Sequence, residues 1–157
     1  MLGTFWKDGA EVKRFRGSPE AFARDVPKAA PELKVIRSLN RFETFVTRDA
    51  PTLTVFKPTG AGLELSPITH PNDLVAGSPA QFRFLLQGKP APDLEVTVVP
   101  GGARYRDAPG DVTLRTDADG TVSFTFPEAG MYWLGARAKG ADDSNVSYVV
   151  TLEVLRP

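Results

Sequence analysis

The chain has 157 residues, 41% hydrophobic and 24% charged, which is enough apolar material for a buried core and unlike a disordered polymer. Nineteen Lys and Arg balance nineteen Asp and Glu, so the excess of cations that a nucleic-acid binder needs against phosphates is missing. With no cysteine and a single histidine, disulfide frameworks, thiolate metal sites, cysteine nucleophiles and paired-histidine metal centres are all excluded. No apolar run approaches the roughly twenty residues that cross a bilayer as a helix, so no membrane insertion is expected. Residues 1–17 are also too polar for a signal-peptide core, with Lys7, Asp8, Glu11, Lys13, Arg14 and Arg16 scattered through them.

In chain order, the first clear signal is Ser18-Pro19-Glu20, which starts a helix: Ser as N-cap, Pro in the first turn, a carboxylate at the positive dipole end. Pro27 and Pro31 cannot continue it, so the helix is short. Leu33–Ser38 and Arg41–Thr47 read as strands, with a turn at Asn40. The stretch 57–62, Lys-Pro-Thr-Gly-Ala-Gly, is the sharpest break in the chain. Beyond it, apolar residues alternate at Leu63/Leu65, Phe82/Phe84/Leu86, Leu94/Val96/Val98, Val112/Leu114 and Val122/Phe124, then from Met131 to Ala138 and from Ser147 to Leu155. Asp119-Gly120 between two of these runs predicts a tight hairpin joining 112–116 to 122–126. About seven strands at regular spacing, without crossover helices, predict a mainly β fold: an antiparallel Greek-key β-sandwich of immunoglobulin-like or prealbumin-like type. The expected division is an α+β segment at 1–60, a remnant of a larger upstream domain, followed by the sandwich at 61–157.

Candidate chemistry is sparse. No nucleophile–base or metal–base constellation is present, so no enzyme, and no cofactor, is expected. His70 and Asp73 could hold a divalent cation only weakly, because two ligands fall short of the usual four. The favoured reading of His70 is a loop-end side chain bonded locally, with Pro71 fixing the turn. Asp117 and Asp119 lack the flanking ligands of a calcium loop and read as turn carboxylates. Arg104 and Arg106 around Tyr105 could fork onto an anion or a partner carboxylate, though an exposed edge strand with Tyr105 facing inward is favoured. Tyr132, just after Gly130, stands where sandwich folds use a tyrosine hydroxyl to tie a corner. Finally, Phe5, Trp6, Phe15, Phe22, Phe42 and Phe45 are a heavy aromatic load for a short segment, which predicts self-association, as a homodimer, through residues before Lys57.

Several blocks together carry a family resemblance. They are Pro58-Thr59-Gly60 through Leu65, Thr69-His70-Pro71-Asn72-Asp73-Leu74, Val98–Gly102 with Arg104-Tyr105-Arg106, Thr116–Gly120, and Pro127–Leu134. In order and spacing the chain resembles exported bacterial proteins described as periplasmic, substrate-specific components of nickel or cobalt uptake. The resemblance implies a periplasmic location, a nickel or cobalt link for the full-length protein, and a protein partner or transporter component. Members of that family carry a leader, an upstream β-rich region and a histidine soon after the leader as the natural metal ligand. This chain resembles their C-terminal part, so of its own residues only His70 inherits, weakly, the metal role. Two functions follow as expectations. One is a non-enzymatic accessory or binding module linked to uptake; the other is a structural or adhesive sandwich of the cell envelope with no metal role.

Overall fold

The computed structural model describes residues 2–157. They form two compact units, one reaching to Leu39 and including Lys139–Val146, the other comprising Asn40–Ala138 and Ser147–Pro157. The division falls upstream of the break at 57–62.

In the first unit, β1 (Leu2–Asp8) and β2 (Glu11–Gly17) form a hairpin around Gly9-Ala10. Gly9 has φ 62°, the positive φ that a two-residue hairpin loop places on glycine. Helix α1 (Pro19–Asp25) begins as the sequence predicts: Ser18 Oγ accepts from the Ala21 N–H at 3.2 Å, and the helix ends at Val26, just before Pro27. Its Phe22 meets Phe15 of β2 edge-on at 6.0 Å, and Trp6 and Val26 are buried. Phe42 and Phe45 belong to the second unit, where Phe42 is 73% exposed. Strand β3 (Lys34–Thr44) pairs antiparallel with β1, giving the order β2-β1-β3.

The turn expected at Asn40 is not there, because β3 runs unbroken through it. Ser147 Oγ donates to Asn40 Oδ1 at 2.7 Å, so the amide finds inside the sheet the partner that a turn would otherwise provide. The strand ends at Thr44, short of the expected Thr47.

The second unit is a β-sandwich. Its strands are the end of β3, β4 (Leu63–Pro67), β5 (Pro79–Leu86), β6 (Lys89–Pro90), β7 (Glu95–Pro100), β8 (Val112–Arg115), β9 (Thr121–Thr125), β10 (Gly130–Lys139) and β11 (Asn145–Val154). One sheet has the order β3-β11-β10-β7-β8; in the other, β5 pairs with β4, β6 and β9. Alternation fixes the core: Phe82 and Phe84 of β5, Val96 and Val98 of β7, and Tyr148, Val150 and Leu152 of β11 are all fully buried. Phe84 and Tyr148 meet across the two sheets, their rings edge-on at 5.9 Å. Tyr132 does tie its corner, donating its hydroxyl to the Glu128 carbonyl at 2.9 Å.

The hairpin expected at Asp119-Gly120 needs correction. β8 pairs with β7 while β9 pairs with β5, so the turn carries the chain from one sheet to the other. Asp117 Oδ1 accepts from the N–H groups of Asp119 (2.9 Å) and Thr121 (2.8 Å), an Asx-type turn rather than a cation loop. Gly120 has φ 73°, and a Cβ there would lie 2.5 Å from the Phe84 carbonyl oxygen and 2.8 Å from the Ala91 nitrogen. Gly120→Ala should therefore destabilise the chain by roughly 2–4 kcal/mol, combining left-handed strain with a backbone clash. An unchanged thermal melt would show that the turn is not held this way.

Candidate functional site

His70 lies at the start of a turn in the second unit, where the Asp73 N–H donates to the His70 carbonyl at 2.9 Å. Its Nδ1 accepts from the Asn72 N–H at 3.1 Å, which leaves Nε2 as the protonated nitrogen, 3.3 Å from the Thr52 carbonyl oxygen. The ring also meets Phe56 edge-on at 5.3 Å, and Phe56 packs on Phe45 at 5.0 Å. Both ring nitrogens are thus engaged, and the turn joins Asp73 to His70 through backbone, with Asp73 itself exposed. A cleft of about 340 Å³ opens beside the ring, lined among others by Glu43, Val46, Phe56 and Asn72, whose buried Oδ1 has no hydrogen-bond partner. Among the described residues, no three His, Cys, Asp or Glu side chains come together as metal ligands would.

The arginine pair is not an edge strand. Gly102 enters the left-handed region at φ 74°, ψ 21°, and starts a single 3₁₀ turn over Ala103–Tyr105. Tyr105 is 83% exposed instead of facing the core, with the Arg104 guanidinium 5.8 Å from its ring centre. Arg106 donates to the carbonyls of Pro100 (2.7 Å) and Pro109 (2.8 Å), so it braces its own loop. The two guanidinium groups therefore do different jobs and do not form one fork.

Two arrangements escaped the sequence reading. The first is a polar network in the sandwich centred on Glu64, which is only 3% exposed. Glu64 Oε1 accepts from the Thr59 N–H (2.9 Å) and hydroxyl (2.7 Å), Oε2 accepts from the Gly60 N–H (2.8 Å), and Arg41 pairs with it at 3.1 Å. Arg41 also reaches Glu43 at 3.4 Å, and Glu43 accepts the Tyr148 hydroxyl at 2.5 Å. Burial, reinforced by that hydrogen bond, pushes the Tyr148 phenol far above its ordinary value. Burial alone would raise the Glu64 carboxyl too, but the Thr59 and Gly60 donors and Arg41 outweigh it and hold it below the usual range. Opposite charges two apart on one strand, Arg41 and Glu43, were the available signal.

The second is one face of the three-stranded sheet in the first unit. Gly3, Phe5 and Lys7 share a side of β1, and the register sets Phe5 between Arg14 and Lys34, and Gly3 between Arg16 and Ile36. These residues line a concavity of about 690 Å³ together with Val12 and Glu32. Lys34 sits over the Phe5 ring at 5.8 Å from its centre, a cation–π contact, and Lys7 pairs with Glu32 at 2.8 Å. The lining thus holds four cations, one carboxylate and an apolar floor. Its sequence signal is the period-two pair Arg14 and Arg16, which gains meaning only once the strand register is known.

A family model described as Domain of unknown function (DUF4198) matches residues 3–140. No curated protein and no solved structure matches the chain.

The Glu64 network gives a pH prediction with a definite sign. Its folded carboxyl is lower than in the unfolded chain, so its contribution is present above the unfolded value and is lost as pH falls through the folded one. Urea melts from about pH 7 down through the carboxylate range should show stability declining, and Glu64→Gln should flatten that acid limb. At neutral pH the same substitution should cost about 2–4 kcal/mol, because it strands the donors gathered around the carboxylate. An unaltered acid limb in the variant would remove Glu64 as its source.

Proposed function

The chain belongs to the DUF4198 family of domains of unknown function, and from that premise we propose that it is a non-enzymatic periplasmic accessory or binding module of a protein associated with nickel or cobalt uptake. One observation carries the reading. The concave β1–β2–β3 face gathers cations around an apolar floor, a surface suited to receiving a partner or ligand. By contrast, the only imidazole and the buried Tyr148 phenol are both held in local hydrogen bonds, which suits structure rather than acid–base turnover.

The link to uptake and the periplasmic location rest on the likeness of the 58–65, 69–74, 98–106, 116–120 and 127–134 blocks to that transport-associated family. The described residues fit a directly bound metal poorly, since His70 is engaged at both nitrogens and no ligand cluster surrounds it. On this reading the metal is cargo of the wider assembly, and the chain serves it through a protein partner or transporter component. Among the described residues no helix is long and apolar enough to cross a membrane, which is compatible with such a role.

A structural or adhesive envelope domain is the second reading. It is favoured by the exposed apolar side chains of Val46, Leu53 and Val55, a surface that needs only packing.

Disrupting the gene in its host separates the two. The first reading expects reduced accumulation of radiolabelled nickel or cobalt; unchanged accumulation with altered adhesion or envelope integrity would favour the second. Calorimetry of the purified chain should show no stoichiometric Ni²⁺ site in the low-micromolar range, in wild type or in His70→Ala. A tight site that His70→Ala abolishes would overturn the partner-mediated handling of cargo.

A further inference from the structure

We propose that the concave β1–β2–β3 face is a binding site for a small amphipathic organic anion: an apolar or aromatic body bearing a carboxylate, sulfonate or phosphate. The inference deepens the binding-module reading above by naming the ligand class, and it rests on that reading for its place in function.

Charge is the first argument. The chain as a whole has equal numbers of cationic and anionic side chains, yet the residues lining this concavity include Lys7, Arg14, Arg16 and Lys34 against Glu32 alone. Concentrating like charges on one face of a small sheet is unfavourable, and a bound anion relieves it. Arginines supply planar forks suited to oxyanions, and the two here are two residues apart on one strand.

The floor is the second argument. Phe5, Val12 and Ile36 are apolar, and Gly3 leaves the start of the central strand without a side chain. The register places Phe5 between Lys34 and Arg14, so an apolar body packed against this floor has a cation on either side. A bare inorganic anion would use the rim and leave this floor wet.

Size and symmetry select the occupant. About 690 Å³ falls within the range of small-molecule clefts, roughly 300–1,000 Å³. A second copy of the chain is disfavoured, because a two-fold axis through this face would oppose the same cations to themselves.

The probe is anilinonaphthalenesulfonate, an aromatic sulfonate, with the uncharged phenylnaphthylamine as its control, each titrated into the full chain by fluorescence and equilibrium dialysis. One sulfonate per chain is expected, with the neutral dye at least about tenfold weaker, and the sulfonate affinity should fall as salt rises. Arg14→Gln with Arg16→Gln should weaken the sulfonate about tenfold or more. Gly3→Val keeps every charge and fills the floor; a Cβ there meets only the Ile36 carbonyl oxygen at 3.9 Å, and binding should be lost. Glu32→Gln removes the one rim carboxylate and should tighten the sulfonate at one per chain without tightening the neutral dye, whereas misfolding would expose apolar surface and raise both. Equal affinity for the two dyes, unchanged binding in the arginine double variant, or weaker binding in Glu32→Gln would each overturn the proposal. Failure here with uptake still dependent on the gene sinks the ligand class alone, whereas sulfonate binding with uptake unaffected sinks the uptake reading alone.

Discussion

A carboxylate inside a β-sandwich is tolerable only if donors meet both its oxygens, and Glu64 imposes that condition on the second unit. Its neighbours Leu63 and Leu65 are core residues, so the strand cannot turn Glu64 out to water without exposing them. The preceding loop must therefore fold back and aim two successive N–H groups, those of Thr59 and Gly60, at the charge. Arg41 has to come from β3 to balance it, which positions Glu43 to receive the Tyr148 hydroxyl. One buried charge thereby couples β4, the 57–62 loop, β3 and β11. The stretch that looks like a linker by composition is in fact a ligand of the core.

The two units use ionisable groups in opposite ways. In the sandwich, guanidinium groups close internal geometry: Arg41 bridges two carboxylates and Arg106 clamps its own loop. In the first unit, Lys7, Arg14, Arg16 and Lys34 converge on one sheet face with Glu32 as the only carboxylate in the lining. Charges of the first kind are satisfied inside the fold, and charges of the second kind create a field directed outward.

Alternation made the sandwich legible, because Phe82/Phe84 and Val96/Val98 repeat at the period of a strand with one buried face. The Ser18 cap and the Tyr132 corner were legible for the same reason: each is a local pattern completed within four residues. What escaped is non-local. Asp119-Gly120 has the chemistry of a tight turn, but which strand each arm joins is decided by partners elsewhere, Val98 for one and Phe82 for the other. Asn40 resembles a turn residue until Ser147, over a hundred residues later, supplies its hydrogen bond. The cationic face is invisible for a related reason, since only the register of three strands brings Arg14, Arg16 and Lys34 to one side.

The position of β11 has a consequence for biosynthesis. It is made after every other strand named here, yet in its sheet it lies between β3 and β10. The other strands of the sandwich are therefore all made before that sheet can join β3 to β10. Until then β3 and β10 each present an unsatisfied edge toward the place β11 will take, and Tyr148, Val150 and Leu152 have yet to enter the core. Closure of that sheet therefore waits for β11, and until it arrives the open edges of β3 and β10 are exposed to mispairing.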